Sequence, residues 1–579
     1  MSHCFNGRLQ AAGRRALRRF ADLYDAIDRT TSTNAKVAAL VAYLSDAPPA
    51  DAAWALFFLT GRRLKRLLPS RLLHEWILEL AGLPEWLVEA SYAEAGDFAE
   101  AVALLLDGRV FEPPPRRAAP GTQSLLFDDP DAVEDHARVD LSLAEWIECR
   151  VLPLREVDDD EKRVRVITWW SRLERRELFL LNKLLTGEFR VGVSHTLVVR
   201  AVAQIASLPT AVVEHRLMGS WQPSAEAWPA LVGPEGPADD PSRPFPFCLA
   251  SPLDDPVETL GPRADWLVEW KWDGIRAQLI HRAGQVFLWS RGEELITERF
   301  PEIGAAGLRL PAGTVLDGEV VAFADDAPRP FADLQQRIGR QRRVTEVAAG
   351  IPVVFLAYDV LEHEGCDVRA ESMRERRGRL VALLASVLQA PGEAAARGAL
   401  LRISEEVAAP TWEALADLRR GSRARGVEGL MLKRWFSPYR PGRKRGDWWK
   451  WKIEPFTMDA VLIYAQPGSG RRATVFTDYT FAVWKEGELV PIAKAYSGLS
   501  DAEIDELDRW IRRHTTDRFG PVSAVEPVHV FELGFEAIAR STRHRSGIAV
   551  RFPRILRWRK DKPPQEADTL EALERMLRR

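Results

Sequence analysis

Apolar positions in the first 220 residues recur every three or four residues, which is the period of an amphipathic α-helix. The first two such runs are separated by the polar segment 31–34, whose Thr, Ser and Asn residues are typical of a helix N-cap. Their apolar members are Leu23, Ile27, Val37, Leu40, Val41 and Leu44. The same period continues over 50–82 and 141–207, so we predict one all-α domain over residues 1–220. A Pro-rich break at 112–121 and an acidic loop at 128–135 interrupt it.

The segment 221–247 carries seven prolines between positions 223 and 246. Proline restricts φ and has no backbone N–H to donate, so at this density neither a helix nor a central strand is expected. We therefore interpret 221–247 as a linker between two domains.

From residue 265 onward the periodicity changes to short runs that alternate apolar and polar residues, which is the pattern of β-strands. Two helical runs, at 371–389 and 411–426, interrupt the strands before Pro455. This pattern predicts an α+β domain of antiparallel sheets over 248–455. Short strands and one helix, at 500–517, follow in 456–579 and predict a small β-barrel.

The net charge of −3 conceals an uneven distribution of 80 basic and 83 acidic residues. Basic residues are concentrated at 434–452 and 551–562, so a polyanionic partner is compatible with the near-neutral total. No apolar run reaches the ~18–20 residues of a membrane-spanning helix, so no membrane partner is expected. The four cysteines form no C-x-x-C pair, which argues against a zinc site or a disulfide framework and favours the reducing cytoplasm.

The most specific local signal is Glu-Trp-Lys-Trp-Asp-Gly-Ile-Arg, in which Lys271 stands between two tryptophans before an Asp-Gly turn. Taken alone, it is also typical of a strand that ends in a surface lysine. A neutral lysine amine can attack an α-phosphate, provided that nearby cations depress its pKa from ~10.4. Lys450 and Lys452 are two residues apart, so one face of a strand presents both, able to hold phosphate and to act on Lys271. Trp449 and Trp451 would then form a core stripe on the opposite face.

Two carboxylates, Glu319 in Asp-Gly-Glu and Glu428 in Glu-Gly-Leu-Met-Leu-Lys, adjoin glycine beside apolar strand runs. Each alone is typical of a solvated turn, but together they suit a ribose hydroxyl and a divalent cation, which phosphoryl transfer needs for charge neutralisation. The basic segment 551–562 is consistent with a two-faced strand or with a contact to leaving phosphates. The G-x-G-x-x-A pattern at 468–473 lies between strands, so we interpret it as a hairpin loop rather than a dinucleotide site.

Together these segments resemble the ATP-dependent DNA ligases, within the covalent nucleotidyltransferases. The resemblance runs from about 265 to 565, and 186–206 is similar to the signature of the family's helical DNA-binding domain. The matching motifs, in order, are K-x-D-G-x-R from Lys271, D-G-E to Glu319, E-G-L-M-x-K from Glu428, W-x-K-x-K to Lys452 and R-x-D-K from Arg559.

The resemblance implies a helical DNA-binding domain, an adenylyltransferase domain and, over 456–579, an OB-fold. It implies an enzyme that seals 5′-phosphate/3′-hydroxyl nicks in duplex DNA with ATP and Mg or Mn, through an AMP-lysine and a DNA adenylate. We also expect a monomer in the cytoplasm, associated with the nucleoid, that acts in DNA repair, replication and recombination.

The resemblance also implies roles for single residues. Lys271 would be the nucleophile, Glu269 would accept the adenine amine, and Tyr358, where Phe is frequent, would stack on the base. Arg276 and Arg291 would contact the nucleotide and the 5′-phosphate of DNA. The full set implied to bind the nucleotide is Glu269, Arg276, Arg291, Glu319, Tyr358, Lys433, Lys450 and Lys452.

Two carboxylates and a pair of C-terminal cations complete the implied site. Glu319, which would also contact the ribose, and Glu428 would hold the metal. Arg559 and Lys562 would assist catalysis by orienting the β- and γ-phosphates as the leaving group, and Lys450 and Lys452 would assist it by holding phosphate and acting on Lys271. Asp561, between the two C-terminal cations, would steady both of them.

Other enzymes share the lysine motif, and an RNA ligase or a GTP-dependent capping nucleotidyltransferase remains an alternative. The capping enzyme has no place for the long helical front half, and an NAD-dependent ligase would be expected to carry a four-Cys zinc site. A DNA-binding protein without activity would not need Lys271 together with two carboxylates.

Overall fold

The structure is a computed structural model, and by contacts among its residues the chain divides into two compact units. One comprises 1–201, 223–226 and 455–579, and the other comprises 202–222 and 227–454. The described residues are 16–64, 66–95, 97–112, 141–187, 189, 192–218, 221–234, 240–338, 344–388, 400–468, 475–519 and 522–577. Three predicted segments lie outside the described residues. They are the Pro-rich break at 112–121 and the hairpin loop at 468–473, each except for its first residue, and the whole acidic loop at 128–135. The predicted domain limits remain predictions.

The described N-terminal residues are helical, as predicted. Ser32 caps the second helix, because its hydroxyl accepts a hydrogen bond from the backbone N–H of Ala35 at 3.3 Å. The π-helical turn Trp146–Val151 follows the short helix Leu143–Glu145. The remaining helices of this region are Ala16–Asp28, Thr33–Asp46, Pro49–Leu59, Ser70–Ala81, Glu85–Ala95, Phe98–Leu106, Asp159–Trp170, Arg175–Thr186, His195–Ala206 and Thr210–Leu217.

The prediction that 221–247 contains no helix is wrong, because Ala227–Val232 is helical. Its single proline lies in the first turn, where no intrahelical N–H is required. At its C-terminal end the Arg216 guanidinium donates hydrogen bonds to the carbonyls of Leu231, Gly233 and Pro234. Residues 227–234 of this segment are therefore packed against helix Thr210–Leu217.

The residues from 248 to 454 form two main β-sheets. A seven-stranded sheet has the order β10-β8-β6-β4-β5 with β7 and β9 at its margins, and a four-stranded sheet has the order β2-β13-β11-β3. The long pairings of these two sheets are antiparallel as predicted, whereas two short ones, β10–β8 and β13–β2, are parallel, as is the separate two-stranded pair β1–β12. The strands are β1 (Cys248–Leu249), β2 (Ser251–Pro252), β3 (Trp266–Trp272), β4 (Ile275–Arg282), β5 (Gln285–Ser290), β6 (Thr314–Ala324), β7 (Ala327–Pro328), β8 (Val353–His363), β9 (Cys366–Asp367), β10 (Leu401–Ile403), β11 (Val427–Arg434), β12 (Gly442–Arg443) and β13 (Trp448–Lys452).

Helices cover one face of the seven-stranded sheet and enclose its core. Leu380 and Leu384 of helix Met373–Leu388 pack with Leu316 and Phe355 of the sheet. The sequence predicted this helix and Trp412–Arg420, but not the three shorter helices. Those are Pro301–Gly307, Phe331–Ile338 and Val344–Gly350.

The C-terminal region is rich in β-strands, as predicted. The twelve-residue β14 pairs with β19 along its first half and with β15 and β18 along its second half. Helix Asp501–Arg513 matches the predicted one, and helix Leu570–Met576 was not predicted. Among the described residues no helix is both long and apolar enough to cross a membrane. The strands are β14 (Phe456–Pro467), β15 (Phe476–Lys485), β16 (Glu488–Ala495), β17 (Thr515–Phe519), β18 (Val522–Val525), β19 (Val530–Phe535), β20 (Ala537–Arg540), β21 (Ile548–Arg551) and β22 (Arg554–Trp558).

Candidate active site

The four-stranded sheet has one face of tryptophan and leucine and one face of charged residues. Side chains alternate across a strand, so successive residues of β3, β11 and β13 point to opposite faces. On the apolar face Trp270, Leu430 and Trp449 share a core, against which Trp451 packs, as the sequence predicted for β13. The opposite face carries Glu269, Lys271, Met431, Lys433, Lys450 and Lys452. Five of the predicted site residues thus lie on one surface.

Lys271 forms an ion pair with Glu428, a neighbour that strict alternation would have placed on the apolar face. The register of β11 against β3 shifts between Val427 and Leu430, so a β-bulge adds a residue there. Gly429 in the bulge has φ of +132°, and a Cβ at this position would clash with the Trp451 carbonyl oxygen. Glycine at 429 therefore permits the bulge, and the bulge turns Glu428 toward Lys271.

Two more lysines surround the same carboxylate. Lys452 Nζ lies 3.5 Å from Glu428 Oε2. Burial lowers the pKa of Lys450, and the charges of Lys452, Arg443 and Lys271 lower it further. One carboxylate thus faces an excess of cations, which is the electrostatic setting that a polyphosphate requires.

Glu269 is buried between two cations, with 1% of its surface exposed. Arg377 Nη1 lies 3.0 Å from Glu269 Oε1, and Lys433 forms an ion pair with the other carboxylate oxygen. Burial lowers the pKa of Lys433, and the charge of Glu269 opposes this. Arg377 comes from helix Met373–Leu388 and was not singled out from the sequence, since nothing local marks its partner 108 residues away.

Glu319 reaches the site from β6 of the seven-stranded sheet, where it lies opposite Arg276 of β4. Burial raises the pKa of the Glu319 carboxyl to about 7, although the charges of Lys271 and Arg276 lower it. The turn after β3 passes so close that a Cβ at Gly274 would clash with the Val320 carbonyl and the Glu319 side chain. The Asp-Gly turn therefore brings the segment bearing Lys271 against Glu319.

Arg276 is enclosed by the protein. Its guanidinium donates to both carboxylate oxygens of Asp317, at 3.2 and 2.7 Å. Asp317 is fully buried and also accepts hydrogen bonds from the hydroxyls of Tyr358, at 3.2 Å, and Tyr439, at 2.7 Å. The network holds the ring of Tyr358, with Lys433 Nζ 4.1 Å from its centroid. Tyr439 was not singled out from the sequence.

Arg291 lies apart from this network. Arg291 is exposed and follows directly after β5. Its backbone N–H donates a hydrogen bond to the carbonyl of Arg276 at 2.9 Å. Its predicted contacts to the nucleotide and DNA remain predictions.

The carboxylates fit a magnesium-type cation. Within the described part of the chain, no group of three or more His, Cys, Asp or Glu residues is arranged to hold a metal. Magnesium is bound in nucleotide enzymes by one or two carboxylates together with phosphate oxygens, so Glu319 and Glu428 form a sufficient protein contribution.

The second basic cluster lies in the C-terminal region, just after β22. Arg559 Nη1 and Lys562 Nζ both donate to Asp459 Oδ2, at 2.9 and 2.8 Å. Asp561 accepts from Arg559 Nε at 3.1 Å and Nη2 at 2.9 Å. The prediction that Asp561 steadies both cations is therefore right for Arg559 only, and Asp459 of β14, missed in the sequence, holds both.

Comparisons with known proteins agree with this arrangement. Family models match the chain as DNA ligase N terminus over 16–203, ATP dependent DNA ligase domain over 248–452 and ATP dependent DNA ligase C terminal region over 472–562. A probable DNA ligase of Koribacter versatilis is 31% identical over 588 aligned residues, which cover 96% of either protein. A DNA ligase of Natronomonas pharaonis is 33% identical, with 72% of this chain and 74% of that protein covered.

A solved structure, Pmar-Lig_PreS3, shares the fold at 15% identity with a TM-score of 0.55 over 93% of this chain and 99% of that one. The chain is thus multidomain, with a helical N-terminal region, a nucleotidyltransferase-like core and a sheet-rich C-terminal region. With its lysine site and with near full-length similarity to a probable DNA ligase, the chain belongs to the ATP-dependent DNA ligase family.

Proposed function

We propose that Lys271 is the residue through which this enzyme takes AMP from ATP during the sealing of nicked DNA. The family to which the chain belongs uses ATP with a divalent metal to form phosphodiester bonds. In the proposed first step Lys271 Nζ forms a bond to the α-phosphorus as the bond to pyrophosphate breaks. The observation that carries this proposal is the charged face on which Glu428, Lys450 and Lys452 surround Lys271.

The lysine must lose its proton before it can attack. Glu428 binds the Lys271 ammonium in the structure, and a divalent cation held by Glu428 and Glu319 would compete for that carboxylate and neutralise phosphate charge. Lys450 and Lys452 then hold the phosphates. Arg559 and Lys562 orient the β- and γ-phosphates of the leaving group.

The base would be recognised around Glu269 and Tyr358. Each carboxylate oxygen has two lone pairs, and the contacts to Arg377 and Lys433 leave acceptor capacity on Glu269 for the adenine amine. Guanine carries a carbonyl at this position, so the same carboxylate disfavours GTP. Tyr358 offers a ring for stacking, Lys433 supports both residues, and Arg276 and Arg291 complete the contacts to nucleotide and 5′-phosphate.

In the two later steps AMP passes to the 5′-phosphate at the nick, and the 3′-hydroxyl displaces it. We assign DNA binding to a helical domain over 1–220, adenylyl transfer to 248–455 and an OB-fold to 456–579. Most contacts would go to the phosphate backbone, since a nick has no fixed sequence. A monomer in the cytoplasm, associated with the nucleoid, suits this activity.

The decisive experiment offers the full chain ATP or GTP labelled at the α-phosphate and scores label on a denaturing gel. We expect labelling from ATP alone. Lys271→Ala should abolish it, yet this variant should still seal nicked DNA that is already adenylylated. Lys485→Ala, at an exposed lysine, is the matched control. Labelling of the Lys271→Ala variant, or efficient labelling from GTP, would contradict the proposal.

A truncation tests the helical half. The cut belongs near residue 208, because helix Thr210–Leu217 packs with the segment 227–234 and His215 stacks on Phe245. The fragment 208–579 should adenylylate itself but bind nicked DNA far more weakly at matched salt. Equal nick affinity of fragment and full chain would remove the DNA-binding assignment.

A further inference from the structure

We propose that Asp459 is a positioning residue for the first step, directing the cations of Arg559 and Lys562 at the departing pyrophosphate. The proposal rests on the leaving-group role given to these two cations above. It adds a residue of β14 that carries no motif of its own.

Both cations converge on a single oxygen. Arg559 Nη1 lies 2.9 Å from Asp459 Oδ2 and Lys562 Nζ lies 2.8 Å from it. The three side chains are 20%, 19% and 13% exposed, in the order Arg559, Lys562 and Asp459. The protein therefore covers most of the surface of these three ion-paired side chains. Both cations still keep access to solvent and to a ligand.

Asp459 is anchored more firmly than the residues it holds. Its backbone N–H donates to an Asp568 carboxylate oxygen at 2.8 Å, and its carbonyl accepts from the Asp568 backbone N–H at 2.8 Å. It also pairs with Glu532 across β14 and β19. Arg559 and Lys562 lie instead on a turn beyond β22, closed by a 3.1 Å backbone hydrogen bond between them. A carboxylate on a central strand thus sets the direction of two side chains on a turn.

Arg559 and Lys562 each have N–H donors available for a ligand. Arginine has five N–H donors, of which Arg559 gives one to Asp459 and two to Asp561. Lysine has three, of which Lys562 gives one to Asp459. Two donors therefore remain on each cation, with their directions limited by the bonds already made. Such an arrangement is prepared for an anion before the anion arrives.

Charge balance stabilises this arrangement. Arg559 and Lys562 share one oxygen and would repel each other in its absence. Asp459 and Asp561 supply one negative charge for each cation. Removing the charge of Asp459 leaves Arg559 tied to Asp561 but deprives Lys562 of this ion pair.

The test compares two steps in the full-length Asp459→Asn variant. The first step is self-adenylylation from ATP, and the last is the sealing of pre-adenylylated nicked DNA. We expect the first to slow about 10- to 100-fold and the last to change less than about threefold. In the reverse direction the KM for inorganic pyrophosphate on the AMP-enzyme should rise. Glu506→Gln, which removes the partner of the neighbouring Lys560, is the matched control and should change neither step.

A cycle with Arg559→Ala and Lys562→Ala separates positioning from folding. If Asp459 acts through the two cations, Asp459→Asn should cost nothing further in that double variant. Asp459→Glu, which keeps the charge, should fall between wild type and Asp459→Asn, and thermal unfolding shows that each variant is folded at the assay temperature. A normal first step in Asp459→Asn, equal losses in both steps, or a further loss in the double variant would overturn the proposal. A normal first step in the double variant would instead overturn the leaving-group role itself.

Discussion

Glu428 and Asp459 make the same ion-pair arrangement in two different regions, each with one carboxylate holding two cations. Glu428 binds Lys271 and Lys452, and Asp459 binds Arg559 and Lys562. The neighbours differ. Around Glu428 a third lysine is close and burial raises the pKa of Glu319 to about 7, so positive charge is in excess. Around Asp459 the second carboxylate, Asp561, balances the charges, and Arg559 holds its pKa down to about 2.

Under the proposed function, this difference separates a reactive cluster from an orienting one. Unbalanced positive charge in a partly buried site attracts the anionic phosphates of a nucleotide. A balanced cluster offers a fixed direction for its hydrogen-bond donors instead. The predictions below test whether the two carboxylates differ in this way.

The largest effect should follow from Glu428→Gln. In its proposed role as a metal ligand Glu428 serves every phosphoryl step, so we expect both self-adenylylation and the sealing of pre-adenylylated DNA to fall by ~10³. Rates of the two steps are measured under single turnover. Glu454→Gln, at an exposed glutamate that pairs with Arg419, is the control. If the last step kept its normal rate, Glu428 and Asp459 would both act only in the first step. The proposed difference between the two carboxylates would then be wrong.

The next effect concerns the cations held by Asp459. Replacing both Arg559 and Lys562 with Ala should slow the first step by ~10² and the last step much less, because pyrophosphate leaves only in the first. The same two assays decide the outcome. Equal losses would indicate a general contact to DNA.

These two carboxylates also show how far the sequence could predict the site. Lys271 was found from the local motif around it, and Lys450 and Lys452 were found because alternation along a strand places side chains on a face without knowledge of the strand's partners. Glu428 was found as part of a motif, although its position depends on the bulge at Gly429. Asp459 was missed, because its partners lie 100 and 103 residues further along the chain.

The fold, like the site, was predictable where it depends on residues that are close together in the sequence. Helical and strand periods identified the three regions, because each period depends on neighbours in the chain. The helix Ala227–Val232 was missed, because the many prolines of 221–247 argued against any helix there. A proline in the first turn of a helix is nevertheless tolerated. Asp317 and Tyr439 meet 122 residues apart, and only the folded sheets bring them together.

A smaller effect is expected at the base site. Arg377→Met removes one of the two cations that hold Glu269, so the carboxylate should lose its orientation. We expect the KM for ATP in self-adenylylation to rise about tenfold with little change in kcat. Arg374→Met, an exposed neighbour on the same helix that stacks on Trp435, is the control. An unchanged KM would mean that Lys433 alone suffices.

The smallest effect is on stability beside the Asp459 cluster. His529 packs against Trp510 and Trp558, and burial, with the charges of His514 and Lys560, lowers its pKa to about 4. The unfolded chain takes up the proton near pH 6.5 and the folded chain does not, so stability is lost as pH falls from about 6.5 to 4.

Replacing His529 with Gln should remove this dependence. The free energy of unfolding of the C-terminal region should decrease between pH 7 and 4.5 in both proteins. The decrease should be smaller in the variant, by ~1–2 kcal/mol. Thermal unfolding across this range, followed by tryptophan fluorescence, measures the difference. Parallel pH profiles of the two proteins would contradict the assignment.

The position of β11 between β3 and β13 limits how this sequence can change in length. From Leu430 to Lys433 both edges of the strand are paired without a bulge, so this part cannot slide to absorb an insertion or a deletion. Loss of one residue between Leu430 and Lys433 would turn Lys433 toward the tryptophans and bring an apolar side chain to the charged face. Between Leu430 and Lys433 substitutions are thus the changes open to this strand during evolution, while an extra residue is accommodated at the bulge beside Gly429 or in the connecting loops.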